Sequence, residues 1–139
     1  MRFPEPEPGL VFRYDFTWFD DAKKGHGSGK VRPACVAVAA EVQKGLRRVV
    51  VLPITHSKPS RGTKGIEIPA IVRAALGLDD MPCWVIVSEY NIDDWPNAGI
   101  GPVPGRAGEF LYGHLPPGLF ARIKQAFLDT YDPNHAVRR

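Results

Sequence analysis

Two polar residues at the edges of apolar runs carry the chemistry that this chain is best equipped for. Arg32 stands in Lys30-Val31-Arg32-Pro33, just before the apolar run from Ala34 to Ala40. Thr55 closes Val49-Val50-Val51-Leu52-Pro53-Ile54 and precedes His56-Ser57. Gln43-Lys44-Gly45 between the two runs is a turn signal, so they read as an antiparallel hairpin. A hairpin sets the two edges side by side. A permanent cation with a forked set of donors then meets a hydroxyl, which suits holding a phosphate. An Arg-Pro pair is also an ordinary way to start a strand, and on the residues alone the two readings stand level.

The surroundings are polar and basic. Lys24, His26, Ser28 and Lys30 precede Arg32, and His56, Ser57, Lys58, Arg61 and Lys64 follow Thr55. Such residues suit a single-stranded polyanion, with Trp18 or Trp95 offering a ring for a base to stack on. They equally suit a solvated loop surface, and each Trp equally suits a core. The imidazoles of His26 and His56 titrate near neutral pH, which makes them candidates for moving protons. Glu89 is a further, weaker candidate base.

Other chemistries fit poorly. Gly25 to Lys30 resembles a phosphate loop only in composition, because Val31 follows the Gly-Lys pair where Ser or Thr is needed and no helix is expected next. His26, His56, His114 and His135 are scattered, and Cys35 and Cys83 stand alone, so no metal site is expected. No Gly-x-Ser-x-Gly elbow and no aromatic RNA-recognition signature occurs. No cofactor is expected.

The elements that must position Arg32 and Thr55 follow from periodicity. The length of 139 residues suits one domain. The formal charge of +3 permits an anionic partner without demanding one. Fourteen Gly and fourteen Pro argue against a helical bundle and for many short elements. Residues 10–16 alternate as a half-buried strand, 34–42 and 47–54 form the hairpin, and 66–68, 83–89 and 110–113 are further strands. Residues 17–31 and 96–108 read as loops. Pro69 to Leu76 reads as a short helix stopped by Gly77. Pro116 to Tyr131 is an amphipathic helix with Leu119, Phe120, Ile123, Phe127 and Tyr131 on one face. The fold class is α+β, mainly β: a small, strongly bent antiparallel sheet or barrel with a short helix and a C-terminal amphipathic helix. Residues 1–8 read as an extended, poorly ordered Pro-rich lead-in and 132–139 as a basic tail, leaving one domain over 9–131. No run approaches the roughly 20 apolar residues of a membrane span. No export signal is evident, and the two cysteines read as buried free thiols, so a reducing cytoplasm is the expected compartment.

Three blocks in this order, Gly9-Leu10-Val11, Arg32-Pro33-Ala34 and Val51-Leu52-Pro53-Ile54-Thr55, resemble the signature blocks of the MazF/PemK (Kid) toxin family. Val85 to Glu89, Asn91 to Asp94 and the closing helix are similar more loosely, so the resemblance spans residues 9–131. It implies an SH3-like barrel and a metal-independent endoribonuclease of a type II toxin-antitoxin system. It also implies single-stranded RNA as substrate, a homodimer, and a cognate antitoxin that occupies the RNA groove. Arg32 matches the family's catalytic Arg, Thr55 its catalytic Thr, and His26 a polar substrate-contacting position. The chain departs from the pattern where the first loop lacks an acidic residue near Gly27-Ser28, where Asn91 replaces an Arg, and where the 96–108 loop is long. Those departures also fit a non-catalytic binding module, or a gyrase-inhibiting toxin on the same barrel.

Overall fold

The alternation of residues 10–16 forms strand β1 (Leu10–Phe16), a strand of the sheet that carries the site. The computed structural model describes residues 3–25 and 30–139. The other elements are α1 (Phe19–Lys23), β2 (Lys30–Gln43), β3 (Leu46–Thr55), β4 (Gly65–Glu67), α2 (Ala70–Leu76) and β5 (Trp84–Ile86). Then come β6 (Asn91–Trp95), β7 (Leu111–His114), α3 (Pro117–Thr130) and β8 (Val137–Arg138). The strands run β4-β5-β3-β2-β1-β7 across one sheet, with β6 beside β3 and β8 beside β6. Every pairing is antiparallel except β6 with β8. The fold is therefore α+β and mainly β. Among the described residues no pairing joins β4 to β7, the two ends of the strand order.

Strand β3 organises the whole. Its long β-branched run pairs with β2 along one edge. Its other edge is divided, with Arg47 to Val51 pairing β6 and Ile54 and Thr55 pairing β5. The division leaves the end of β3, where Thr55 sits, between two different neighbours.

Period-two alternation splits the core between the two faces. Phe12, Tyr14, Phe16, Val36, Val49, Val51 and Trp95 fill one face. Val11, Cys35, Leu52 and Ile54 face the other, where Leu76 of α2 and Leu119, Ile123 and Phe127 of α3 cover them. Burial of each large apolar side chain contributes about 1.5–3 kcal/mol relative to exposure. Helix α2 ends at Gly77, whose φ of 72° is left-handed, as the sequence expects of a Gly stop. No helix of the described residues is long and apolar enough to cross a membrane.

Four segments depart from the expectation. Residues 17–31 are not all loop: α1 forms at Phe19–Lys23, and β2 starts as early as Lys30. Asp20 and Asp21 lie in the first turn of α1, and the Phe19 N–H is capped by Glu89 Oε1 at 2.9 Å. Residues 91–95, where the sequence reading places no strand, form β6, and buried partners satisfy Asn91 and Asp93. Asn91 accepts from the Thr17 N–H (3.0 Å) and donates to the Thr17 carbonyl (2.7 Å), and Asp93 accepts from the Tyr14 hydroxyl (2.7 Å). Residues 132–139 do not trail away as a tail: β8 lies along β6, with the Val137 N–H donating to the Tyr90 carbonyl and the Arg139 N–H to that of Ile92. Residues 3–8 belong to no helix or strand, but they are held. Phe3 packs on Trp95 and Phe110, and the Trp95 indole N–H donates to the Pro4 carbonyl.

Candidate functional site

The β2–β3 register does what the hairpin reading requires of it. Ala34 lies opposite Pro53, and continuing that register sets Arg32 across from Thr55, two residues on and on the same face. Two clefts open there. The larger, about 530 Å³, is lined by Arg13, Lys30, Arg32, Thr55, His56, Ser57, Asp79 and Tyr112 among others. The smaller, about 320 Å³, is lined by Trp18, Arg32, Thr55, Ser57, Lys58, Ser60 and Thr63 among others. Arg32, Thr55 and Ser57 border both. An extended ligand lying through both clefts therefore passes these three residues at its middle.

Arg32 is half-buried and lacks the usual compensation. Its guanidinium carbon lies 5.1 Å from the centroid of the Trp18 ring, and its Nε is buried without a hydrogen-bond partner. Among the described residues no carboxylate reaches it within ion-pair distance. Burial, and then the charge of Arg13, pulls its pKa below the ordinary arginine value. A guanidinium stays charged through such a shift, so the site holds a cation in want of an anion. Thr55 Oγ1 accepts the Ser57 N–H at 3.1 Å, which leaves the hydroxyl proton free to donate. Together the two residues can present forked N–H donors and one O–H donor to a single phosphate.

His56 stands on the wall of the larger cleft, but both its ring nitrogens are taken. Nδ1 lies 3.0 Å from the Pro82 carbonyl oxygen and Nε2 2.9 Å from Asp79 Oδ2. Both partners are acceptors. The ring is thus held in place by contacts at both nitrogens.

The remaining expected residues divide. Lys30 borders the larger cleft, Lys58 the smaller, and Ser57 both. Lys24, Arg61 and Lys64 are exposed and border neither. Glu89 is elsewhere: Oε1 caps α1, and Oε2 lies 3.3 Å from His135 Nε2. A carboxylate so engaged ties α1 to His135, and it borders neither cleft. Trp95 is buried and cannot stack on a base, whereas Trp18 borders the smaller cleft. His26 and Ser28 lie outside the described residues.

Arg13, Asp79 and Tyr112 were not expected. Arg13 had a signal: a charge at the middle of an otherwise regular strand. Asp79 and Tyr112 had none, because helix α2 and strand β7 bring them in from distant parts of the chain. Cys35 and Cys83 are free and buried, and among the described residues no three His, Cys, Asp or Glu side chains gather as a metal-binding group. Compared with known proteins, the chain matches no protein-family model, no curated protein and no solved structure.

Proposed function

We propose that the chain is an endoribonuclease of the MazF/PemK type that cuts single-stranded RNA without a metal ion. The observation that carries this reading is Arg32: a half-buried guanidinium, without a carboxylate partner among the described residues, beside the Thr55 hydroxyl at the meeting of two clefts. An SH3-like barrel is the architecture we assign to the bent sheet. A homodimer and a neutralising antitoxin belong to the same reading and rest on the sequence resemblance alone.

In this mechanism the RNA supplies its own nucleophile. The 2′-oxygen forms a bond to the adjacent phosphorus, and the bond from phosphorus to the 5′-oxygen breaks. The products are a 2′,3′-cyclic phosphate and a free 5′-hydroxyl. Arg32 binds the non-bridging oxygens, on which charge accumulates in the transition state, and Thr55 donates one further hydrogen bond. The 2′-hydroxyl proton must leave and the 5′-oxygen must gain one, and we assign this traffic to His26, just upstream of Arg32 in the sequence. Trp18, stacked with Arg32, offers an edge to a neighbouring base.

The test is direct. The purified chain is incubated in EDTA with a single-stranded RNA of mixed sequence. Discrete fragments ending in cyclic phosphate are expected. RNA left intact, or cleavage that stops on chelation, contradicts the proposal.

A further inference from the structure

Three partly buried arginine side chains of this protein are matched to carboxylates, and a fourth, Arg73, donates to the Ile68 carbonyl. Arg47 reaches Glu5 and Glu41, Arg106 reaches Glu109, and Arg139 reaches Asp15. Arg13 and Arg32, which border the same cleft, are not matched to any among the described residues. Two like charges turned into one cleft repel, and nothing in the fold's own packing is gained by keeping both.

Arg13 is also firmly placed. It sits inside β1 opposite Pro33 of β2. Its N–H donates to the Phe110 carbonyl and its carbonyl accepts from the Gly101 N–H, so both its backbone polar groups are tied on the edge of β1 away from β2. Its Nη1 donates to the Tyr112 hydroxyl at 3.3 Å. The Tyr112 ring in turn lies 5.9 Å from the Arg106 guanidinium. The donors of Arg13 other than this one bond have no described protein acceptor. Lys30 borders the same cleft and adds a third positive charge.

We propose that Arg13 is a second phosphate-binding residue, which holds the phosphate next to the one that Arg32 and Thr55 engage. The ligand class this selects is a single strand with at least two successive phosphates, and a dinucleotide with a single phosphate fills only half of the site. Arg13 is then a positioning residue, and its contact is the same before and during bond breaking. Its loss raises KM and leaves kcat in place, whereas loss of Arg32 lowers kcat. This inference rests on the ribonuclease reading of the cleft.

The test uses a single-stranded 2′-O-methyl RNA, which binds but has no 2′-hydroxyl to attack. Its affinity is measured across a salt series for the full chain, for Arg13→Gln, for Arg13→Lys and for Arg122→Gln on the exposed side of α3. Each phosphate neutralised on a single strand adds about 0.7 to the slope of log K against log salt. Arg13→Gln is expected to lose about that much slope and roughly tenfold in affinity. Arg13→Lys is expected to keep the slope, and Arg122→Gln to match the unaltered chain. An unchanged slope in Arg13→Gln, or an equal loss in Arg122→Gln, overturns the assignment of Arg13 while RNA binding itself stands. No binding by the unaltered chain overturns both this inference and the ribonuclease reading beneath it.

Discussion

A half-buried guanidinium with an unsatisfied Nε weakens the fold that carries it, because its desolvation has no protein partner to offset it. Arg32 is in that position, and its neighbour Arg13 adds repulsion. Replacing Arg32 with Met keeps much of the length and removes the charge. The fold of Arg32→Met is expected to be as stable as the original or more stable, by about 1 kcal/mol, in urea unfolding. A clear loss of stability would instead mark Arg32 as a structural residue. Thr55 separates in the same way by chemistry. Thr55→Val keeps the shape and removes the donor, and the expected loss is on the order of 10²-fold in kcat. Thr55→Ser, which keeps the hydroxyl, is expected to retain most of the rate. Equal rates for Thr55→Val and the unaltered chain would remove Thr55 from the site.

At the scale of elements, the site depends on the end of β3 being held between β2 and β5. That part was legible in the sequence, because the two β-branched runs and the Lys44-Gly45 turn specify a hairpin locally. What was not legible came from long-range polar contacts. Helix α1 begins with Trp18, which offers no capping oxygen, and its cap comes from Glu89, seventy residues away. Strand β6 has no apolar alternation to announce it, since Asn91, Asp93 and Asp94 are polar, yet Asn91 is fully buried against Thr17. Tyr112 and Asp79 likewise join the cleft only through the packing of β7 and the α2–β5 connection. Glu89→Gln is therefore expected to lower stability by about 1 kcal/mol while RNA cutting persists. A lost activity at unchanged stability would return Glu89 to the site. Asn91→Ala removes two buried hydrogen bonds and is expected to lower stability by about 2 kcal/mol, read from the urea midpoint.

The whole molecule couples its core to pH through buried groups that ionise unwillingly. Burial pushes the Cys35 thiol up to about 12 and the Cys83 thiol up to about 11, from an ordinary value of 9.0. The Tyr14 hydroxyl is pushed up too, by burial first and then by its hydrogen bond to Asp93. A folded-state value above the unfolded one gives stability that is fully present below pH 9 and lost as pH rises through 11 and 12. Urea midpoints are thus expected to fall steadily above pH 9, and Cys35→Ala to flatten part of that fall. Both thiols are expected to resist a thiol reagent at pH 8 until the chain unfolds. Of these groups only Cys83 borders the larger cleft, and the phosphate-binding pair we propose there is a guanidinium and a hydroxyl. The decisive measurement is the single-turnover cleavage of a single-stranded RNA by the unaltered chain and by Arg32→Met, with the melting curve of each recorded in the same buffer. The expected result is cyclic-phosphate product from the unaltered chain, and a variant that melts no lower and yields almost none. A folded Arg32→Met that cuts at the original rate contradicts the account at its centre.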